Sequence, residues 1–434
     1  VGAMPVNPDF DTETEAAGLM AFVDASPTPF HACEQAGVRL EAAGFAKVEE
    51  RDSFPKSGAH YLVRGGSLVA WDDSAGDPVG DGFRIVAAHT DSPNLRIRPR
   101  PDHLRAGWQA LAVEPYGGLL RNSWLDRDLG LAGRVAVRRA GAVETALFHD
   151  TRGILRVPQL AIHLDRSQND ALTLNPQVDL VPVWGAGNLP GDFPAYLAGQ
   201  VGADIGDLLG FDVMTFPVEP SARLGLHREL IAAPRLDNLA TSYAGTQALV
   251  AAHQGSGPVP VLVLFDHEEI GSQSERGAQS ALLTTILERI VLARGGSRED
   301  THRALSATVI ASGDMAHATH PNHPERHEPL HQIRINGGPV LKINTNLRYA
   351  TDAVGEAAFR LACEQAGVPV QTFVSRSDQP CGSTVGPMTA ALTGATTVDF
   401  GAPLLSMHSA RELGGAEDPA MYAAALAAFL APQG

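Results

Sequence analysis

Four short apolar runs in the sequence each end on side chains that can bind metal or move protons. Arg84 to Ala88 leads into His89, Thr90 and Asp91, and Val259 to Phe265 into Asp266, His267, Glu268 and Glu269. Thr308 to Ala311 leads into Ser312, Gly313 and Asp314, and Thr396 to Phe400 is followed by a turn toward His408. Taken singly, each has an ordinary explanation: a loop histidine held by hydrogen bonds, or a solvated Glu-Glu pair. Together they form an array of His, Asp and Glu without Cys, a donor set suited to zinc, cobalt or manganese in a hydrolytic site. The spacing of His89 and Asp91 lets a carboxylate sit beside the imidazole and orient it. Glu268 and Glu269 suggest divided labour, one on a metal and the other moving protons. Asp237 opens a helical pattern that runs to His253. It reads either as a helix cap or as a carboxylate shared by two divalent ions about 3.5–4 Å apart, which need a bridging anion.

A competing motif lies in His327-Glu328-Pro329-Leu330-His331. It fits the H-E-x-x-H zinc signature only if both histidines share one helix face. Pro329 sits inside it and Pro321, Pro324, Gly337 and Gly338 surround it, while an interior proline costs a helix about 3 kcal/mol. The run from His317 to His331, with five of the chain's 16 histidines, is therefore expected to be a loop. There is no G-x-S-x-G elbow and no phosphate loop of the G-x-x-x-x-G-K-S/T kind. Gly185 to Gly191 does not keep G-x-G-x-x-G spacing, so serine-hydrolase and nucleotide readings lack support.

These side chains need elements to hold them. The pattern predicts helices over Glu13 to Val23 and over Pro29 to Ala43, the second capped by Thr28 and stopped by Gly44. Strands are expected at Tyr61 to Arg64, Ser67 to Trp71 and Arg84 to Ala88. From about Pro99 to His227 short apolar runs alternate with Gly, Pro and Asn, as in Leu111 to Val113, Gly130 to Arg138, Ala146 to His149 and Val178 to Trp184. That texture suggests a β-rich segment. Strand and helix alternation then returns. Helices are expected at Ala240 to His253 (closed by Gly255), Ala278 to Ala293, Ala353 to Gln365 (stopped by Gly367) and Pro419 to Leu430. Strands are expected at Val259 to Phe265, Thr308 to Ala311, Val340 to Ile343 and Thr396 to Phe400. Such alternation defines an α/β fold with a mostly parallel sheet flanked by helices, interrupted by an inserted β-rich domain. In open sheets of this kind ligands bind beyond the carboxyl ends of the strands, where the acidic and histidine residues fall.

The 434 residues suggest two or three domains. With 44% hydrophobic and 19% charged residues the chain is globular rather than disordered. Its formal net charge is −16 with no basic block, which makes nucleic acid and anionic membranes poor partners. No apolar run approaches the roughly 18 residues of a membrane span. No secretory signal is expected, and Val1 to Ala3 before Met4 read as a cloning remnant. Three cysteines, Cys33, Cys363 and Cys381, without C-x-x-C spacing fit a reducing compartment, so a cytoplasmic location is expected. Only Lys47, Lys56 and Lys342 are lysines. Lys342 lies in an apolar strand pattern, where it reads either as a surface lysine or as a cation aimed at a ligand.

The chain resembles the aspartyl aminopeptidases, di-zinc exopeptidases that remove acidic N-terminal residues. The resemblance rests on Ala88-His89-Thr90-Asp91-Ser92-Pro93, Arg235-Leu236-Asp237-Asn238-Leu239 and Asp266-His267-Glu268-Glu269-Ile270-Gly271-Ser272. It continues in Gly313-Asp314-Met315-Ala316-His317-Ala318, His320-Pro321-Asn322, Arg348-Tyr349-Ala350-Thr351 and Met407-His408-Ser409. These motifs run in order through almost the whole chain.

The resemblance implies a metallopeptidase with two divalent ions, zinc, with cobalt or manganese as alternatives. One ion would be held by His89, Asp237 and Asp314 and the other by Asp237, Glu269 and His408. Glu268 would be the general base toward the metal-bridging water, and Asp91 would orient His89. The Asp237–Asn238 peptide bond is often cis in such relatives. The resemblance further implies a discontinuous catalytic domain, residues 1–98 and 229–434, and an inserted dimerisation domain, residues 99–228. It also implies a homo-oligomer, a dodecamer built from dimers. His163 would reach a neighbouring subunit's active site, unless it is simply a satisfied strand histidine. Lys342 and Tyr349 would face the substrate side chain and favour peptides with N-terminal Asp or Glu. The alternatives are a broader-specificity aminopeptidase or dipeptidase on the same site, or a scaffold that kept the fold and lost catalysis. The intact metal positions argue against the scaffold.

Overall fold

The computed structural model describes residues 10–253 and 257–433. Gly255, expected to close a helix, and Val1 to Ala3 lie outside them. The chain divides into two compact units. One comprises Val1–Asp91, Ser221–Met407 and Glu412–Gly434, and the other Ser92–Pro220 with His408–Arg411.

The first unit is built on a nine-stranded sheet. Its order is Ala46–Lys47, Ala59–Arg64, Ser67–Asp72, Val259–Phe265, Phe83–His89, Val309–Gly313, Thr396–Gly401, Val340–Ile343 and Gln371–Val374. The four strands from Val259–Phe265 to Thr396–Gly401 run parallel, and antiparallel pairings flank them. Val259–Phe265 (VPVLVLF) is buried along its whole length, as expected for a parallel strand covered on both faces. Its period-two alternation divides it between two cores. Leu262 and Leu264 pack under the helices Thr12–Ala25, Pro29–Ala42, Leu236–Ala252, Ala353–Ala366 and Asp418–Leu430. Val261, Val263 and Phe265 pack under Leu282–Ala293 on the other face. Truncating Phe265 to Ala would cost about 3–5 kcal/mol, because the cavity could not collapse from both sides.

Local signals set several element ends. The Thr28 hydroxyl caps Pro29–Ala42 by accepting the His31 amide, and Gly367 ends Ala353–Ala366 in the left-handed conformation that glycine tolerates. Two expectations need correction. The helix predicted from Ala278 starts at Leu282, and of Val178 to Trp184 only the end joins a strand, Val183–Ala186. Among the helices of the first unit longer than one turn, Arg298–Ser306 and Val385–Thr393 escaped the pattern reading. The first had a usable signal, the Ser297 and Asp300 capping box. A second sheet of five short strands, Ala222–Leu224, Leu230–Ala233, Glu412–Gly415, Pro403–Leu405 and Ala316–His317, also belongs to this unit.

The second unit is a closed barrel of antiparallel strands in the order Leu208–Pro217, Asn94–Arg105, Trp108–Tyr116, Val183–Ala186, Ala142–Arg156 and Asp128–Arg139. Leu129, Leu131, Val135 and Val137 alternate along one strand into its core. Phe193, Leu197 and Val201, spaced four apart on the helix Phe193–Val201, join them from a single helix face.

Candidate metal centre and active site

Parallel pairing aligns the carboxyl ends of three neighbouring strands. His89 pairs in register with Phe265, and Ala87 with Ser312, so His89, the loop after Phe265 and Asp314 arrive at one sheet edge. His89 is buried; its Nε2 lies 3.4 Å from Asp237 Oδ1, 3.6 Å from Asp314 Oδ1 and 3.9 Å from Glu268 Oε2. Donor atoms of His89, Asp237 and Glu269 fall within 4.8 Å of one another. Nδ1 of His89 donates to the Asp91 carbonyl at 3.0 Å. A carbonyl can only accept, so Nδ1 carries a proton and Nε2 is the nitrogen that faces the carboxylates.

Asp237 reaches the site by an unusual backbone path. The Asp237–Asn238 peptide is cis, and Asp237 itself has non-helical angles inside Leu236–Ala252, while Arg235 in the left-handed region occupies the cap position. Asp237 is therefore not the helix cap. The Arg235 guanidinium donates to the carbonyls of Val23 and Ser26. The Asp237 amide donates to Glu412 Oε2 at 3.0 Å, and Asn238 Nδ2 donates to the Gly313 carbonyl at 2.7 Å. The last bond ties the Asp237 turn to the strand that delivers Asp314. Glu412 and Asn238 were not singled out in the sequence. A buried glutamate on a distant short strand carries no local signal, although Asn238 stood beside a flagged carboxylate.

The loop of Glu268 and Glu269 begins and ends in left-handed residues, His267 and Gly271. Beneath it Asp266 is buried, accepting the His267 amide at 2.9 Å and Arg276 Nε at 2.8 Å. Burial, with help from Asp314, Glu269 and Asp91, pushes the Glu268 carboxyl well above its ordinary range against the pull of His89. Burial opposes charge on His89, yet Asp237, Asp314 and Asp91 together raise its affinity for a proton well above that of a free imidazole. Carboxylates around a buried imidazole create a demand for positive charge. Divalent ions meet that demand with the oxygen and nitrogen donors present, so the residues fit zinc.

Lys342 is not the surface lysine of one reading: it is buried at 3% exposure. Its Nζ lies 3.8 Å from Asp314 Oδ2 and 5.3 Å from the centre of the Tyr349 ring. Tyr349 is buried too, packed edge-on against Phe373, which also meets His317. His408 groups with the second unit, and its Nδ1 donates to the Gly118 carbonyl at 3.0 Å. It is outside the trio of His89, Asp237 and Glu269. His163 lies on an exposed turn of the second unit, not on a strand. Residues 327–331 form no helix, so the H-E-x-x-H reading falls.

Fold and donor set define a metallohydrolase on an α/β sheet. Residues 22–430 match the family described as aminopeptidase I zinc metalloprotease (M18). The "Probable M18 family aminopeptidase 2" of Streptomyces coelicolor is 55% identical over 421 residues, 95% of this chain and 97% of that protein. Among solved structures, the chain of the Ape4 and Nbr1 complex superposes with a TM-score of 0.92 at 34% identity, covering 98% of this chain and 87% of that one. The S. cerevisiae mApe1 dodecamer gives 0.83 at 27%, with 96% of each chain covered. The chain belongs to the M18 family, the aspartyl aminopeptidase family, and is a zinc metalloaminopeptidase. Among the described residues no helix is long and apolar enough to cross a membrane.

Proposed function

We propose that this aminopeptidase prefers peptides whose N-terminal residue is Asp or Glu. The observation that carries this reading is Lys342, a buried cation 3.8 Å from Asp314 Oδ2, in a chain with only three lysines. A chain with a net charge of −16 repels acidic peptides at long range, so recognition must be local. Lys342, with Tyr349 beside it, is where the substrate carboxylate would be received.

His89, Asp237 and Asp314 would hold one ion, and Asp237, Glu269 and His408 a second; zinc is proposed, with cobalt or manganese as substitutes. Ions bound there would lower the pKa of a water and polarise the scissile carbonyl. Glu268 takes a proton from the attacking water and returns it to the leaving amine. Its burial raises the carboxyl's affinity for the proton it carries. Asp91 keeps His89 oriented through Nδ1. The barrel unit is proposed as the dimerisation domain of a cytoplasmic homo-oligomer, a dodecamer like the S. cerevisiae relative. His163 would there support the tetrahedral intermediate in a neighbouring copy.

The test is hydrolysis of a panel of N-terminal residues, with and without a chelator. Acidic residues should lead the panel, and chelation should abolish all turnover until zinc is restored. Leucine substrates cleaved as fast as aspartate would sink the specificity.

A further inference from the structure

The barrel unit pairs many of its arginines with carboxylates. Arg127, Arg134, Arg138, Arg139, Arg152 and Arg156 each lie 2.7 to 3.9 Å from an Asp or Glu oxygen. All four arginines on the strand Asn94–Arg105 break this habit: Arg96 lies over the Tyr116 ring, 3.7 Å from its centre, and the other three gather at a cavity. Arg98, Arg100 and Arg105, together with His103, line one cavity of about 410 Å³ whose lining includes no acidic residue. Among the described residues none of the four is ion-paired.

The strand is shaped to gather them. A register shift between Ile97 and Asp102 bulges it, with Arg100 in the left-handed region. Arg98 Nη1 donates to Gln177 Oε1 at 3.1 Å and Arg105 Nη1 to the Val178 carbonyl at 2.7 Å. Each bond uses one donor and leaves the rest of the guanidinium fork available. His103 Nδ1 donates to the Pro101 carbonyl at 3.0 Å. Pro101, Val113 and Pro176 supply apolar wall, which strengthens the field inside. Arg100 and Arg105 are exposed and Arg98 is half-buried at this open cavity; like charges gathered there repel one another, and in a chain with 16 surplus negative charges carboxylate partners were not scarce.

We propose that this cavity binds a phosphate-bearing anion. Guanidinium forks match phosphate oxygens two at a time, and the volume accommodates more than a single phosphate group. The cavity shares no residue with the metal centre and does not depend on how that centre is read.

The experiment is calorimetric titration of the assembled protein with inorganic phosphate at constant ionic strength, chloride serving as the control ion. Phosphate should bind where chloride does not. In the variant carrying Arg98→Gln, Arg100→Gln and Arg105→Gln affinity should fall by about tenfold or more per arginine, with turnover of peptide substrates unchanged. Any phosphate held by the metal centre remains in the variant, so the difference between the two titrations isolates the cavity. Tripolyphosphate and ATP run alongside separate the sources: equal affinities assign the bare anion, and tighter ATP assigns a nucleotide. If the triple variant does not fold, Arg100→Gln alone and arginine labelling of the unaltered protein take its place. Phosphate should protect Arg98, Arg100 and Arg105 from phenylglyoxal but not Arg127. Identical titrations of parent and variant, or labelling unchanged by phosphate, would overturn the proposal.

Discussion

Asp91 Oδ1 accepts the backbone N–H of Glu268 at 3.1 Å, and its other oxygen accepts that of Glu269 at the same distance. Asp91 Oδ1 also lies 3.4 Å from His89 Nδ1. One carboxylate therefore couples the strand end that carries His89 to the loop that carries the proposed base and a proposed metal ligand. The sequence suggested only its proximity to His89. Asparagine keeps the shape but replaces one acceptor with a donor aimed at an N–H. Asp91→Asn should lower zinc affinity by about 10–100-fold, measured by competition with a chromophoric chelator. Unchanged affinity would remove Asp91 as the link.

Glu268 is the proposed proton carrier and not a proposed ligand. Glu268→Gln should therefore retain its zinc, counted by elemental mass spectrometry. Turnover should fall by roughly 10²–10⁴. A variant that loses metal in proportion to activity would recast Glu268 as a ligand.

For Lys342 the expected readout is a ratio. Lys342→Ala should reduce kcat/KM for N-terminal Asp by about tenfold or more while leaving Leu substrates nearly unaffected. An unchanged Asp-to-Leu ratio would place substrate selection elsewhere. Loss of both rates together would mean that Lys342 serves mainly to hold Asp314.

Asp418 is a buried acid remote from this chemistry. Burial pushes its carboxyl from the ordinary 3.8 up to about 7, against the amides of Asn336 and Gly338 that it accepts at 2.8 and 3.2 Å. The folded state thus holds the proton more tightly than the unfolded one, so the group's contribution is most favourable below about pH 4. It declines as pH rises to about 7, by up to about 1.4 kcal/mol per pH unit. Urea midpoints of the parent and of Asp418→Asn, compared from pH 5 to pH 8, should show the parent losing ground up to pH 7. Parallel curves would show that Asp418 is ionised throughout.

Much of the site was legible because parallel sheets obey a local rule: an apolar run ends and the next residues face the ligand crevice. His89, Glu268, Glu269 and Asp314 all announced themselves that way. Asp237 was ambiguous, since a carboxylate at the start of a helix is ordinarily a cap. Its non-helical backbone, the left-handed Arg235 before it and the bond from its amide to Glu412 set it apart from a cap. The helix Arg298–Ser306 escaped because charged residues dominate it and leave little apolar periodicity to read.

By itself the sequence determined the α/β class, the donor chemistry, the zinc aminopeptidase family and the failure of H-E-x-x-H, because composition, strand periodicity and an interior proline act locally. Only the tertiary structure decided which donors meet. The trio of His89, Asp237 and Glu269 draws on three distant segments, and whether Lys342 is solvated or buried over Tyr349 depends on what the strands beside Val340–Ile343 and the loop after it cover. Burial and charge proximity are properties of the packed chain, and no spacing along it encodes them directly.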